Sequence, residues 1–179
     1  MAAEGRGRRL RRVALSFLAA SLATAALASS GGDSGVGIGV TVPEGDLADV
    51  NDTSWYLHAR TLFARKTFGG RASVYYADTI AHGPVDGGRA FGFDVDGLLR
   101  FGGRQTFGYV FAGAGYGRAT FSRPGDLAGS IVRSSEWDWS LQGGVGVVFK
   151  KIVYLEAMYV QYQTDPKTSF IPVVVGFQY

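Results

Sequence analysis

Long runs of alternation between large apolar and small or polar side chains constrain this sequence more than any other feature. In residues 90–101 and 137–149, one face of an extended chain carries mostly Phe, Trp, Leu and Val, and the other carries mostly Gly and polar residues. Successive side chains of a β-strand point to opposite faces, so a period of two kept over about 12 residues predicts strands. The apolar face then needs either a protein core or a lipid bilayer to receive it.

Eight segments with this alternation follow one another along the chain: 36–42, 55–63, 70–78, 89–101, 105–118, 137–149, 152–163 and 170–179. The links between them alternate in length: those after the second, fourth and sixth segments are short, those after the first, third and fifth are longer, and the one after the seventh is the shortest of its group. Short turns at one end and longer loops at the other are typical of an up-and-down meander. The sequence therefore predicts an all-β fold, an eight-stranded antiparallel up-and-down transmembrane β-barrel.

The N-terminal segment has the pattern of an export signal. Several arginines precede Val13, an apolar stretch runs to about Leu27, and Ala26-Leu27-Ala28 offers a small-x-small cleavage site. This pattern predicts a secretory signal peptide over residues 1–28, cleaved before Ser29, and a single barrel domain over residues 29–179. The alternative is an anchoring helix, but the apolar run falls short of the ~20 residues that a membrane-spanning helix needs.

Charge and cysteine content exclude two further classes of protein. The formal charge of +3 belongs to the arginine-rich signal, so the mature chain is slightly acidic and no basic surface for nucleic acid is indicated. The chain contains no cysteine. An exported protein can use disulfides, so the stability of this one must come from side-chain packing or backbone pairing.

The composition of the less apolar face decides between a core and a bilayer. A water-soluble barrel of the lipocalin type would turn its apolar face inward and carry polar residues outside. Here the less apolar face is rich in Gly, Ala and Ser, which suits a narrow interior, and the lysines of the mature chain lie in links or at strand ends. Aromatic residues cluster near both predicted strand ends, as at the two interfaces of a membrane. These features favour a lipid-facing outer surface.

The last predicted strand carries an alternating apolar series that ends on an aromatic residue: Ile171, Val173, Val175, Phe177 and Tyr179. With the eight segments, this series resembles the small eight-stranded outer-membrane β-barrels, the OmpA transmembrane domain and OmpX-like group, over roughly residues 34–179. The resemblance implies a monomer without cofactors in a Gram-negative-type outer membrane, in contact with outer-membrane lipid and lipopolysaccharide. It also implies Sec-type export and insertion by the barrel assembly machinery, which reads the C-terminal strand.

With the aromatic face outside, eight ionisable residues point into the lumen: His58, Arg60, Arg71, Asp94, Asp96, Arg100, Asp138 and Glu156. A buried charge without a partner costs several kcal/mol, so we expect a paired, hydrated network that acts as a structural plug. The alternative is a gated pore for small ions, in which Arg60 exchanges partners among Asp94, Asp96 and Glu156. Eight strands leave an interior that side chains just fill, which favours the plug.

The predicted loops carry charges of both signs. Arg118, Arg123 and Arg133 border or lie in the longest loop, 119–136, and are candidate contacts for lipopolysaccharide phosphates, with plain solvation as the alternative. The first loop carries four carboxylates, whose spacing matches no calcium-binding pattern and indicates a solvated face. They are Glu44, Asp46, Asp49 and Asp52.

Catalysis has little support in the sequence. Some barrels of this size are lipid-modifying hydrolases or acyltransferases, which need a histidine within reach of a serine or a carboxylate. The chain has two histidines, His58 on the lumen face and His82 in the turn-like AHGPVDGG, and no His-x-Ser motif. We therefore expect no enzyme, but a barrel that contributes to envelope integrity or surface interaction. The alternatives are a surface adhesin acting through its loops and a narrow gated pore.

Overall fold

A computed structural model describes residues 32–44, 51–63, 67–78, 80–81, 88–124, 131–164 and 168–179. Within these ranges eight long strands close into a barrel: β1 (Asp33–Glu44), β2 (Ser54–Leu62), β3 (Phe68–Asp78), β4 (Arg89–Gly102), β5 (Phe107–Pro124), β6 (Ile131–Phe149), β7 (Val153–Tyr162) and β8 (Thr168–Gln178). Neighbouring strands are antiparallel, and β8 pairs with β1. The predicted eight-stranded antiparallel barrel is confirmed.

Outside the barrel, Asn51–Asp52 pairs with Ile80–Ala81 in a separate two-stranded sheet. The described part of the chain has no helix with the length and apolarity needed to cross a membrane. The predicted signal peptide, residues 1–28, lies outside the described residues, as do His82, Asp46 and Asp49.

The barrel has two distinct ends. The links 103–106 and 150–152 lie at one end, with the start of β1 and the end of β8, and we call it the turn end. The link 150–152 is a tight turn in which the Ile152 amide donates to Phe149 O at 3.0 Å. The opposite end, where the longer links leave the strands, is called the loop end. This alternation is the one that the sequence predicts.

The strand register shears the barrel. Gln178 of β8 pairs with Gly35 of β1, and the paired positions then run around the barrel to Thr168, which lies in β8 again. The path returns ten residues from its start, so the strands are strongly tilted against the barrel axis. Eight tilted strands enclose an interior of the width that side chains fill.

The apolar face of the strands is outside and the polar face inside. In β4, Phe93 and Val95 are exposed, whereas Asp94 and Asp96 between them are buried. In β8, Val175 and Phe177 are 51% and 66% exposed. Water-soluble proteins bury such residues and expose charged ones. The barrel therefore has the reversed arrangement that the alternation predicts.

The predicted loop 119–136 is wrong over most of its length. β5 continues to Pro124 and β6 begins at Ile131, and the two strands stay paired to their ends. Their outer parts extend beyond the last paired residues of β4 and β7. No shared lumen imposes alternation there, so backbone pairing lengthens the strands without a signal in side-chain hydrophobicity. The other predicted strand bounds differ from those in the structure by at most three residues.

Candidate functional site

The middle of the lumen holds a cluster of buried charges. Arg60 of β2 and Glu156 of β7 are fully buried, and Arg60 Nη1 lies 2.7 Å from Glu156 Oε1. Arg60 also donates from Nη2 to Gln178 Oε1 at 3.2 Å and from Nη1 to the Tyr109 hydroxyl. Tyr109 in turn donates to Glu156 Oε1. One arginine thus connects β2 with β5, β7 and β8 through charge-assisted hydrogen bonds, which are stronger than neutral ones.

Arg71 of β3 is the second buried cation. Its Nη1 pairs with Asp96 Oδ2 of β4, and its Nη2 lies 3.4 Å from Glu156 Oε2. Gln142 of β6 donates from Nε2 to the other oxygen of Asp96 at 2.6 Å. Each oxygen of Glu156 therefore contacts a different arginine. Loss of this one carboxylate would leave two buried cations with fewer partners, which makes Glu156 the centre of the cluster.

The rings of the lumen also contact the two cations. The guanidinium carbon of Arg60 lies 3.8 Å from the ring centre of Tyr154, and that of Arg71 lies 4.1 Å from the ring centre of Phe111. An arginine over the face of an aromatic ring is attracted by the quadrupole of the ring. Both arginines therefore contact carboxylates through their guanidinium nitrogens and also pack against an aromatic ring.

His58 and Asp94 flank the cluster on its loop-end side. His58 Nε2 lies 3.0 Å from Arg71 Nη2, and its Nδ1 lies 3.5 Å from Glu156 Oε2. Because an arginine can only donate, Nε2 is the acceptor and the ring proton is on Nδ1, facing the carboxylate. Asp94 Oδ2 accepts from Ser73 at 3.1 Å. His58 is thus occupied by a cation on one side and a carboxylate on the other.

Arg100 and Asp138 do not join the other six predicted lumen charges. The Arg100 side chain lies over Phe107 at the turn end and donates to the carbonyls of Gly103 and Arg104, at 3.0 and 3.2 Å. Asp138 lies towards the loop end, where its Oδ1 accepts from the Trp139 amide at 2.7 Å. Both face the lumen side of their strands, but each lies too far along its strand to reach the cluster.

In the lumen, large tyrosine side chains lie opposite glycines of the neighbouring strand. Tyr109 lies opposite Gly146 in the strand register, and Tyr154 lies opposite Gly176. A methyl group added to either glycine would collide with the opposing ring. Each ring therefore occupies the space that a side chain at the opposing glycine would need. This packing is a physical reason for the many glycines on the inward face.

Apolar layers lie on both sides of the charge cluster. Towards the turn end the lumen is filled by Leu62, Leu98, Phe107 and Val148, and towards the loop end by Tyr56, Val160, Tyr162 and Phe170, all of them buried. The described residues contain no group of three or more His, Asp or Glu side chains that could hold a metal ion. The lumen is thus a packed interior with a charged middle layer.

The outer surface near the loop end carries a second group of predicted residues. Arg118 of β5 is exposed and donates from Nε to Ser135 Oγ at 2.9 Å. Arg123 and Arg133 lie on the extended part of the β5–β6 hairpin, paired in the register with Val132 and Ser122. The three arginines therefore belong to one hairpin rather than to a loop.

Aromatic rings lie directly beside Arg118 on the outer surface. The rings of Phe91 and Trp137 meet edge to face at 5.1 Å, and those of Tyr116 and Trp137 stack at 5.6 Å. Trp139 contacts Tyr116 at 5.3 Å. In the register, Arg118 lies between Phe91 and Trp137. A cation and four rings thus share one side of the barrel.

The predicted insertion signal lies along the outward face of β8. Val173, Val175, Phe177 and Tyr179 are exposed and Ile171 is half-buried, while Val174 between them is buried. The main chain of Tyr179 forms two hydrogen bonds with Ser34 at the start of β1, at 2.8 and 3.2 Å. The apolar series therefore borders the strand pair that closes the barrel.

Sequence alternation does not identify four partners of the charge cluster, which are Tyr109, Tyr154, Gln142 and Gln178. A signal for them exists, because each shares strand parity with Gly or with a charged residue of the lumen face. Tyr109 and Tyr154 are missed because aromatic residues are expected on the lipid-facing surface, whereas these two point inward.

Comparison with known proteins gives matches to solved structures. No family model matches the chain, and no curated protein matches it. Ail, the attachment invasion locus protein of Yersinia pestis, is 18% identical with a TM-score of 0.54, and the alignment covers 83% of this chain and 99% of Ail. The outer membrane enzyme PagL is 15% identical with a TM-score of 0.55, covering 82% of this chain and 97% of PagL. Neisserial surface protein A is 14% identical with a TM-score of 0.52, covering 83% and 96%. The chain shares the fold of these small eight-stranded outer-membrane barrels.

Proposed function

We propose that this protein is an integral, non-enzymatic β-barrel of a Gram-negative-type outer membrane, where it contributes to envelope integrity or surface interaction. The signal peptide 1–28 directs its export, and the barrel acts as a monomer. One observation carries the proposal: large apolar side chains are exposed around the barrel while charged side chains are buried inside it.

The free energy of the outer surface supports a bilayer as its surroundings. Exposed apolar surface costs roughly 25 cal/mol per Å² in water, and soluble monomers rarely expose a continuous apolar patch above a few hundred Å². Here outward residues are apolar on strand after strand, for example Val95 of β4, Leu141 of β6 and Val175 of β8. A bilayer removes this cost, and a closed barrel leaves no unpaired strand edge in the hydrocarbon.

A structural role for the lumen is supported by its packing. Arg60 has its hydrogen bonds with Glu156, Tyr109 and Gln178, whereas Asp96 is held by Arg71 and Gln142. Exchange of Arg60 among the carboxylates, as a gated pore would require, means breaking several buried charge-assisted bonds at once. A planar-bilayer recording tests this alternative, since a plug predicts no stable unitary current.

The absence of catalysis is part of the proposal. PagL shares the fold and is an enzyme, so the fold alone does not exclude activity. A histidine-assisted nucleophile needs a hydroxyl within hydrogen-bond reach of the imidazole. Both ring nitrogens of His58 instead face charged groups of the cluster, Arg71 and Glu156. This arrangement suits a structural histidine.

Two partners follow from the outward surfaces. The apolar series Ile171 to Tyr179 on β8 is proposed as the segment that the barrel assembly machinery reads during insertion. Outer-leaflet lipid, with lipopolysaccharide, is proposed to surround the loop-end surface. Replacing Phe177 and Tyr179 with serine is expected to lower insertion by the assembly machinery, with less effect on folding in detergent.

Adhesion is the second candidate function, and the β5–β6 hairpin favours it. The two strands stay paired to Pro124 and Ile131, whereas pairing with β4 ends at Thr120 and pairing with β7 ends at Ser140. The hairpin therefore projects beyond its neighbours. If it is an adhesin, replacing residues 121–134 with a two-residue turn will abolish surface binding and leave the barrel intact.

The main proposal is tested by refolding the mature chain into detergent. A closed membrane barrel predicts a β-type circular dichroism spectrum and a gel mobility that changes on boiling. A chain that stays soluble without detergent, and whose mobility boiling does not change, would contradict the proposal.

A further inference from the structure

The loop-end surface of the barrel is uneven around its circumference. On β4, β5 and β6 it carries contacting aromatic rings, with Trp137 half exposed. On β7, β8 and β1 the outward residues towards the same end are Gln161, Ser169 and Glu44, which follow one another in the register. A girdle of aromatic residues spaced evenly around the barrel would make the same contacts with lipid on every side. This surface has an aromatic side and a polar side.

The aromatic side also carries positive charge. Arg118 donates to Ser135 Oγ at 2.9 Å, and Thr120 donates to the same oxygen at 3.0 Å. A hydroxyl partner orients the guanidinium and leaves its charge in place. The corresponding cation on β4 differs, because Arg89 Nε lies 3.8 Å from Asp78 Oδ1 and its charge is partly neutralised. On the polar side Glu44 would repel an anion.

The order of residues along the hairpin matches the layers of an amphiphile. Leu141 and then Trp139 lie on the outward face of β6, followed by Trp137 and Ser135 towards the hairpin tip. Arg118 lies beside Trp137 in the register. Towards the hairpin tip, the outward side chains are therefore first apolar, then aromatic, then aromatic beside a cation, and finally hydroxyl-bearing.

We infer that this side of the barrel docks a glycolipid whose headgroup consists of phosphorylated sugars, the chemistry of lipopolysaccharide. The docking surface, here named the aromatic–arginine patch, consists of Phe91, Tyr116, Arg118, Thr120, Ser135, Trp137 and Trp139. The inference rests on the proposed membrane location and adds a specific, one-sided partner to it. Arg118 binds a phosphate in the fork geometry that guanidinium favours. The indole of Trp137 stacks on a sugar ring, and the acyl chains lie along the apolar wall below.

The test uses the full mature barrel, folded in detergent and titrated with bisphosphorylated lipid A while bound lipid is counted by native mass spectrometry. Arg118→Gln is expected to weaken lipid A binding about tenfold, because a charge-assisted contact with phosphate is lost. Trp137→Leu is expected to weaken it several-fold. Phosphatidylglycerol is expected to bind more weakly than lipid A and to respond less to both changes.

Matched controls come from the aromatic pair on β2 and β3 and from the ion-paired arginine on β4. Trp55 stacks on Tyr76 with ring centres 5.1 Å apart. Arg89 lies opposite Thr120 in the register but forms an ion pair with Asp78. Trp55→Leu and Arg89→Gln are expected to leave lipid A affinity within about twofold of the unaltered barrel. The inference is overturned if Arg118→Gln has no effect or if Arg89→Gln has an equal one. Equal binding of phosphatidylglycerol would also overturn it, because the patch would then recognise only an anionic lipid.

Two further measurements complete the test. The first distinguishes a glycolipid from a soluble polyanion as the occupant of the patch. The second distinguishes loss of lipid binding from loss of folding. Displacement of lipid A by a soluble sulfated saccharide at similar concentration would overturn the lipid as occupant. Each variant is also tested for boiling-dependent mobility. A folded barrel without lipid A preference contradicts only this inference, whereas an unaltered chain that forms no such barrel contradicts the proposed function. Arg118→Glu, which keeps an exposed polar side chain, gives a second variant in which binding is expected to fall further.

Discussion

The β5–β6 hairpin and the β8–β1 seam are held together in different ways. The hairpin joins strands that are neighbours in sequence, and its pairing runs without a break from Phe107 to Pro124. The seam joins the two ends of the barrel chain. Closing a longer loop has a larger entropic cost, so pairing at the seam receives less help from chain connectivity than pairing in the hairpin.

The lumen face of β1 adds to the difference between the seam and the hairpin, because it lacks side chains that could help to hold the seam. Gly35, Gly37 and Gly39 face inward, so β1 contributes no side chain to the lumen along this stretch. Tyr154 of β7 covers the space beside Gly35 and Gly37. Arg60 reaches past β1 to Glu156 and Gln178. The charge cluster therefore connects β2 with β7 and β8 across the seam. The β5–β6 hairpin, by contrast, is held by its own continuous backbone pairing.

The largest expected effect comes from breaking the centre of this bridge. Glu156→Gln keeps the shape of the side chain and removes the carboxylate shared by Arg60 and Arg71. Leaving buried arginines without their partner costs about 3–5 kcal/mol. The urea concentration at which half of the Glu156→Gln barrel is unfolded, followed by the loss of the folded band on unboiled gels, is expected to fall accordingly. Asp138→Asn, at the loop end outside the cluster, is the control and is expected to change stability by less than about 0.5 kcal/mol. Equal midpoints for Glu156→Gln and the unaltered barrel would contradict the bridge.

A second experiment separates the seam from the rest of the cluster. Arg60→Met removes the contacts to Glu156 and Gln178 and is expected to lower stability by about 2–3 kcal/mol. Hydrogen exchange is expected to accelerate first at amides of β1 and β8. Arg71→Met is the matched change and is expected to affect β3 and β4 first, because Arg71 pairs with Asp96. If both variants loosen the same strands, Arg60 has no special role at the seam.

Glycine substitutions test the packing of the seam on a smaller scale. A Cβ at Gly37 would lie 2.5 Å from the Tyr154 hydroxyl and 2.8 Å from Val174 Cγ1. Gly37→Ala is therefore expected to destabilise the barrel by about 1–2 kcal/mol through overpacking. Gly97→Ala adds the same methyl group on the outward face, where the nearest atom lies 3.9 Å away. It is expected to be neutral within about 0.5 kcal/mol. Equal losses for the two variants would show that the seam is not unusually tight.

The smallest expected effect concerns the turn between β6 and β7. Lys150 and Lys151 have φ angles of 52° and 58°, a left-handed conformation that side chains with a Cβ disfavour. Asn and Gly accept this conformation in two-residue hairpin turns. The pair Lys150→Asn and Lys151→Gly is expected to raise stability by about 1 kcal/mol, measured by the same urea midpoint. Lys151→Ala, which removes the charge and keeps the Cβ, is expected to have no such effect.

The strands and their faces could be predicted because side-chain alternation is a local property of the extended backbone. In β4, Asp94 and Asp96 lie inward and Phe93 and Val95 outward, as the alternation predicts. The outer β5–β6 hairpin could not be predicted in this way. Its strands are set by backbone pairing between residues such as Thr120 and Ser135, which the hydrophobic pattern does not record.

The members of the charge cluster could be predicted only in part, for a geometric reason. Alternation gives the face of a residue but not its height in the barrel, which depends on strand register and shear. Arg100 and Asp138 lie on the lumen face and yet at opposite ends of the barrel, far from Glu156. Tyr109 and Tyr154 have the right face and the right height, but their apolar rings suggest the outer surface.

The most direct test of the reversed arrangement is the accessibility of single spin labels in the barrel folded into vesicles. The chain has no cysteine, so Val95→Cys, Leu141→Cys and Val175→Cys each give one labelling site on the outward face. Lys151→Cys, at the exposed turn, is the water-facing reference. A membrane barrel predicts that oxygen, which concentrates in lipid, relaxes the three outward labels more than a water-soluble nickel chelate does, with the reverse at residue 151. Faster relaxation by nickel at positions 95, 141 and 175 would mean that the apolar face meets water, and would contradict the membrane barrel.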